Sequence, residues 1–330
     1  MSRWGLAVVL GLALAVAVVL GVRFGSVPVS TAALLDVLTG GGSAVERDIV
    51  LQLRLPRVAL AIMVGGGLAV AGATFQALLR NPLAEPYILG ISGGASVAAV
   101  LVLALGWAAA GSWVLPLAAF AGALLAITLV FRVATATGRA MDVRVLLLAG
   151  VVVAAFFSAC IAFILSVSPA RTVQSAVLWI MGSLAAASWQ GVAIAAAYTL
   201  PASLLLVALA RSLNLMAIGE ETAHYLGADV EGVKRVALSV AALITAAGVA
   251  VAGVIGFVGL VVPHAVRLLV GSDHRALLPL SFLAGSAFLT SADLVARLAL
   301  SPTEIPIGVI TAFVGVPFFL VLLRRSLGPR

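Results

Sequence analysis

Runs of about 20 apolar residues follow one another along almost the whole chain, and this repetition constrains the fold more than any other feature. With 63% hydrophobic and 9% charged residues, the chain has too little polar surface to cover a soluble globule of 330 residues. The runs lie near residues 4–22, 57–79, 88–107, 113–133, 145–168, 190–210, 236–255, 257–270, 277–300 and 306–323. The sequence therefore predicts an all-α polytopic membrane protein with about ten transmembrane helices in a single domain, residues 1–330.

The run that begins at residue 54 breaks at residues 80–86, where two prolines end a helix. Gly90, Ser92, Gly93 and Gly94 follow and allow close approach of other backbones. Broken helices at membrane depth are tolerated only where they are buried in protein or line a watery cavity. The break therefore predicts a pathway through the membrane.

The formal net charge of +7 does not indicate a nucleic-acid partner, because the arginines lie at the ends of apolar runs and form no basic stripe. Basic residues at run ends follow the positive-inside rule, which places both termini in the cytoplasm when ten helices cross. Cys160 is the single cysteine, so an internal disulfide is excluded.

Two short segments repeat: Arg57-Val58-Ala59-Leu60 opens the second apolar run and Arg235-Val236-Ala237-Leu238 opens the seventh. Five crossings separate the copies, so they would run in opposite directions. Inverted repeats of this kind build many transporters, with the pathway at the repeat interface. The alternative is a chance match among a few common apolar residue types.

The most polar stretch of the chain is the predicted cytoplasmic loop between the sixth and seventh runs, about residues 212–235. Glu220 and Glu221 follow Gly219, at the position where a helix N-terminus favours acids, and Asp229 is a candidate N-cap for a second helix. Two short helices held at the membrane face would suit a partner protein. An ordinary solvated loop remains the alternative.

Motifs for other functions are weak or absent. A phosphate loop needs a lysine followed by Ser or Thr, and the only lysine, Lys234, is followed by an arginine. Asp293 and Arg297 are the intramembrane charges that ion coupling would use, and their i,i+4 spacing equally fits a helix-face ion pair. Ser92 in a G-x-S-G pattern, with His264 as a base, would suit an intramembrane serine protease. The three histidines have no metal-ligand spacing.

Several longer segments resemble one known family, the FecCD-type permeases of type II ABC importers, which carry ferric siderophores, haem or cobalamin. The matching segments are RLPR at 54–57, GATFQALLRNPLAEPYILGISGGAS at 72–96, GEETAHYLG at 219–227, GFVGLVVPHAVR at 256–267, DHRALLP at 273–279 and ADLVARLALSPTEIPIGVITAFVGVPFF at 292–319. They occur in the family's order from about residue 50 to the C-terminus.

The resemblance implies a homodimer of ten-span subunits in the bacterial or archaeal cytoplasmic (inner) membrane, in contact with lipid. It also implies two cytoplasmic ATPase subunits that bind ATP and Mg, an outer substrate-binding protein, and no cofactor, metal or catalytic residue in this chain. The ATPase would contact a coupling helix in the 212–235 loop. The residues implied for this coupling are Glu220, Glu221, Ala223, Leu226 and Gly227.

Two further sites follow from the resemblance. The arginines that pair with glutamates of the binding protein would be Arg54, Arg57 and Arg297. The cytoplasmic gate would involve Asn81, Leu83, Asp142 and Val143, where this sequence lacks the small hydroxyl residues of cobalamin permeases. The resemblance thus predicts an ATP-driven importer of an iron chelate, a ferric siderophore or haem. The alternatives are a cobalamin permease, an ion-coupled secondary transporter and the intramembrane serine protease.

Overall fold

The computed structural model describes residues 2–25, 27–136, 141–227 and 229–327, and these residues form fifteen α-helices. The helices are α1 Arg3–Arg23, α2 Thr31–Leu38, α3 Ala44–Arg47, α4 Leu55–Leu78, α5 Ile91–Ala104, α6 Val114–Thr135, α7 Val143–Ser166, α8 Ala170–Ile180, α9 Trp189–Ala208, α10 Ala210–Ile218, α11 Glu220–Tyr225, α12 Val230–Ala252, α13 Val258–Val270, α14 His274–Leu298 and α15 Ile307–Leu327. A π-helical segment, Asp48–Arg54, leads into α4, and 3₁₀ turns occupy Pro86–Leu89 and Trp107–Ala110.

Ten of these helices account for the ten predicted crossings. Within the described ranges, seven helices are long and apolar enough to span a membrane: α1, α4 with its preceding turns, α6, α7, α9, α12 and α14. Three shorter apolar helices, α5, α13 and α15, supply the rest. The long apolar run near residues 236–270 divides as predicted, because α12 ends at Ala252 and α13 begins at Val258. The chain is therefore a multi-pass membrane protein.

Helix α4 lies at the centre of the bundle and packs against α9, α12, α13 and α14. Small residues make this possible. Gly65 lies against the backbone of Gly285 in α14, and Gly72 lies against the backbone of Gly259 in α13. Side chains this small let helix backbones touch, which is the main source of packing energy between helices in lipid.

The outer helices expose apolar side chains. Val8 of α1, Leu117 of α6, Phe163 of α7 and Leu204 of α9 are all more than half exposed. An apolar surface of this extent on a soluble protein would drive association. On a membrane protein it is the surface that contacts lipid.

The predicted inverted repeat is visible in the order of the helices. A long helix, a break and a short helix occur twice, first as α4 and α5 and again as α12 and α13. The long helices run in opposite directions, because α4 begins on the side where α1 ends and α12 begins beside the polar 212–235 loop. The two long helices also pack against each other.

The contact between Gly72 and Gly259 gives a test of this packing. A Cβ atom at position 72 would overlap the backbone of Gly259, so Gly72→Ala should lower the free energy of unfolding by about 1–3 kcal/mol. Gly11→Ala is the matched control, because a Cβ there meets nothing within 4 Å and alanine favours the helix. Thermal unfolding in detergent measures both. Equal midpoints for the two variants would contradict the packing.

Candidate functional site

The two helix breaks meet each other inside the bundle. The Glu85 carboxylate accepts a hydrogen bond of 2.8 Å from the backbone N–H of Phe257. The Tyr87 hydroxyl donates to the carbonyl of Ile255 and accepts from its N–H, both at 3.2 Å. Backbone groups at this depth have no water to bind. The two interruptions therefore supply each other with the partners that the missing helical hydrogen bonds would have given.

A second contact on α4 supports the same region. Gln76 is buried, and its amide Nε2 donates to the carbonyl of Leu260 at 3.1 Å. That carbonyl lies in the first turn of α13, a few residues beyond the break. Gln76 thus ties the end of α4 to the start of α13.

The segment between α8 and α9 hydrogen-bonds to the last residue of α12 and to the first turn of α15. The Ser183 N–H donates to Ala252 at 2.8 Å, and Gly308 donates to Met181 at 3.1 Å. A cleft of about 370 Å³ opens beside them. Its lining consists of Ile180, Met181, Val254, Gly256, Phe257, Gly308, Val309, Ala312 and Phe313. This cleft has the weakly polar, uncharged walls that a pathway for a large cargo would need.

The four predicted gate residues lie on two separate elements. Asn81 Oδ1 accepts the N–H of Leu83 at 2.9 Å, so these two form one tight turn. Asp142 caps α7 by accepting the N–H of Arg144 at 2.7 Å, and Val143 is the first residue of that helix. Among the described residues no side-chain hydrogen bond joins the two pairs, and their role in a gate stays a prediction.

The sequence reasoning missed the residues that face Leu83. Leu83 shares a small cleft with His264 of α13 and with Phe318 and Phe319 of α15. The adjacent phenylalanines after Pro317 were a visible signal, since aromatic side chains are large enough to close a passage. His264 is also the base required by the protease hypothesis, and within the described ranges no hydrogen bond connects it to Ser92.

The coupling residues divide into two sets around helix α11. Ala223 is fully buried and Glu220 points inward, forming a 2.8 Å ion pair with Lys234. Glu221, Leu226 and Gly227 are exposed. Two residues missing from the predicted set join the exposed face, namely Ile218 and Tyr225, which are 69% and 80% exposed. We name this exposed surface around α11, formed by Ile218, Glu221, Tyr225, Leu226 and Gly227, the coupling face of α11, and its contact with an ATPase stays a prediction.

Two of the predicted docking arginines are buried. Arg54 is 5% exposed, and its guanidinium donates to the carbonyls of Val22, Arg23 and Val27 at the end of α1. Arginine offers five N–H donors in a fixed fork, which suits the carbonyls left free at a helix C-terminus. Arg54 therefore fastens the C-terminal end of α1 to the start of α4.

Arg297 makes the corresponding contact from α14. It is 4% exposed and donates to the carbonyls of Gly21 and Phe24, both at 3.0 Å. It also pairs with Asp293 at 3.1 Å, which is the i,i+4 pair that the sequence indicated. In this conformation the guanidiniums of Arg54 and Arg297 are engaged within the chain, and their role in docking stays a prediction.

Arg57 is the third arginine and the one with acidic partners on two sides. Its Nε donates to Asp293 at 2.9 Å, and its two terminal nitrogens bind both carboxylate oxygens of Glu304 at 3.0 and 2.9 Å. The sequence analysis did not predict a role for Glu304. Its only signal in the sequence was an acidic residue in the loop between the last two apolar runs. A cavity of about 230 Å³ is lined by Arg54, Arg57, Arg297 and Glu304, among other residues.

Known proteins resemble this chain over most of its length. A family model described as the FecCD transport family matches residues 13–325. The cobalamin import system permease protein BtuC of Halobacterium salinarum is 46% identical over 90% of this chain and 79% of its own length. The hemin transport system permease protein HmuU of Yersinia pestis is 41% identical over 84% of this chain and 83% of its own length.

A solved structure agrees with the fold. It is described as an inward-facing conformation of a metal-chelate type ABC transporter, with a TM-score of 0.86 and 30% sequence identity over 98% of both chains. The YvrB permease protein of Bacillus subtilis, an ABC transporter permease, is 42% identical over 96% of this chain and 93% of its own length.

Proposed function

This chain belongs to the FecCD transport family as a permease of an ABC importer, and from that membership we propose that its cargo is an iron chelate, haem or a ferric siderophore. The hemin transport permease HmuU, 41% identical over 84% of this chain, supports this cargo. The family match over residues 13–325 supports the permease role, because it includes every predicted site residue. Hydrolysis of ATP belongs to a separate subunit. The membrane proposed is the cytoplasmic (inner) membrane of a bacterium or archaeon.

A second cargo has its own support. The relative from Halobacterium salinarum is named for cobalamin and the one from Yersinia pestis for hemin. Both are large macrocycles that hold a metal, so one wide pathway would suit either. Cobalamin is therefore the second candidate.

A homodimer would complete the pathway. One copy leaves apolar side chains exposed on α7, such as Leu148 and Phe156, and on α15, such as Phe313. We propose that a second copy covers part of these faces, and that the cleft beside Phe257 opens onto the space between the copies. An uncharged wall would let cargo leave without a deep binding well, so specificity would lie mostly in the outer binding protein.

Uptake by the purified transporter tests the cargo. The chain is reconstituted in proteoliposomes with its ATPase and binding protein, and uptake of haem, a ferric siderophore and cobalamin is measured with ATP. Haem or siderophore uptake is expected only with ATP, and cobalamin uptake would select the second candidate.

Uptake driven by an ion gradient without ATP would favour a secondary transporter. Retained transport by Ser92→Ala would count against the protease hypothesis.

The ATPase would bind the coupling face of α11. Leu226→Asp places a charge on an apolar surface that is 62% exposed, and loss of one anchor of this kind costs about 2 kcal/mol or more. We expect at least about a 30-fold weaker affinity for the ATPase, measured by titration of detergent-purified permease. Leu35→Asp is the matched control, because Leu35 is 60% exposed on the outer helix α2. Equal affinities for both variants would exclude this face.

The outer binding protein would present an acid to Arg57 in place of Glu304. Glu304→Gln removes the internal competitor and should tighten docking, whereas Arg57→Gln should weaken it, each by about tenfold at low salt. Arg171→Gln is the control, since Arg171 is an exposed arginine at the start of α8. Surface-bound binding protein titrated with permease in nanodiscs measures the affinity. Unchanged affinity for both variants would remove Arg57 from the docking site.

A further inference from the structure

Lys234 is the only lysine of the chain, and it is buried. It lies in the second turn of α12, with 1% of the residue exposed. A lysine is almost never fully buried unless its charge is paired. Its environment therefore needs an explanation that the coupling and docking sites do not supply.

The ammonium group of Lys234 has three acceptors. It donates to the carbonyl of Met141 at 2.7 Å, to Glu220 at 2.8 Å and to Glu231 at 2.7 Å. An ammonium group has three N–H donors, so every one of them has a partner. The acceptors come from three elements: the segment before α7, the coupling helix α11 and α12 itself.

The second carboxylate oxygen of Glu231 binds the same residue as Lys234, namely Met141. It accepts the N–H of Met141 at 3.1 Å, so both backbone polar groups of Met141 are held by this cluster. The next residue, Asp142, is the N-cap of α7. Lys234 and Glu231 thereby fix the place where α7 begins.

Helix α7 continues from this point to the helix break. Gly150 of α7 lies against the backbone of Ile88 and Leu89, in the 3₁₀ turn that follows the first break. A contiguous series of contacts thus runs from α11 through Lys234 and Met141 to α7, and from there to the broken segment.

The energetics favour a geometric role over a stabilising one. Only the ammonium is buried, since the Glu220 and Glu231 side chains remain 31% and 29% exposed. Taking this charge out of water costs desolvation energy that the ion pairs only partly offset, so an apolar side chain in its place could be equally stabilising. Removing one partner, in contrast, leaves a buried charge without compensation. A cluster of this kind specifies one arrangement of the three elements.

We propose that Lys234 is a positioning residue that joins coupling helix α11 to the start of α7, so that a displacement of α11 by the ATPase reaches the candidate gate. The proposal rests on the proposed function as an ATPase-coupled permease. Lys234 touches neither cargo nor ATPase in this scheme and acts through Glu220 and Met141.

The test follows movement at the start of α7. Arg144 is exposed there, so Arg144→Cys in a Cys160→Ser background reports its surroundings by its rate of reaction with a maleimide. The rate is measured in the complex with the ATPase, with and without Mg-ATP and vanadate. ATP hydrolysis by the same samples is measured in parallel.

In the parent complex, ATP should change the labelling rate at position 144. Lys234→Gln should reduce that change about tenfold, in the range of coupling between sites, while ATP hydrolysis and ATPase binding persist. Arg235→Gln is the matched control, since Arg235 is the exposed neighbouring residue, and it should behave like the parent. An unreduced response in Lys234→Gln would overturn the proposal.

A milder variant distinguishes a loss of coupling from misfolding of Lys234→Gln. Glu220→Gln removes the charged link to α11 and keeps the bonds of Lys234 to Met141 and Glu231, so it should also lose the response at position 144. A normal response in Glu220→Gln would overturn the link through α11. If the parent itself shows no response although the ATPase binds, coupling through α7 is wrong. If no ATPase binds the parent, the proposed function fails first.

Discussion

Backbone polar groups at membrane depth must find partners within the protein, and the rest of this structure depends on how it meets that requirement. Two helices end inside the bundle, and the segments that follow them satisfy each other through Tyr87 with Ile255 and Glu85 with Phe257. Because each break supplies hydrogen-bond partners for the other, the two breaks stabilise each other. Their pairing places irregular backbone beside an uncharged cleft. A pathway at this place could open and close without exposing a backbone hydrogen-bonding group to lipid.

Charged clusters hold the two ends of the bundle, while the helix surfaces packed between them are mostly apolar. At the end of the bundle where α1 ends, Arg54 and Arg297 bind the last carbonyls of α1, and Arg57 joins α4 to Asp293 and Glu304. At the opposite end, Lys234 joins the neighbouring helices α11 and α12 to the segment before α7, which lies far from them in sequence. Both clusters lie where partner proteins are proposed to bind. A partner that contributes or withdraws one charge would therefore act directly on helix positions.

In the predicted coupling loop, residues of one sequence motif face in two different directions. Its residues are consecutive, and the sequence treats them as one contact surface. A helix turns its successive side chains in different directions, so Glu220 and Ala223 face the membrane domain while Tyr225 and Leu226 face outward. The outward residues suit contact with an ATPase, and the inward ones are those proposed to transmit its movement.

The sequence by itself determined the number and order of the membrane helices, the position of both breaks and the family, because hydropathy, prolines and motifs act locally. It also marked Arg54, Arg57 and Arg297 as important. Only the tertiary structure decided which groups each arginine meets, that Glu304 faces Arg57, and that Lys234 binds Met141. These pairs join residues separated by long stretches of chain, and no local pattern specifies them. They exist because a buried charge needs a partner wherever the packing of helices brings one within reach.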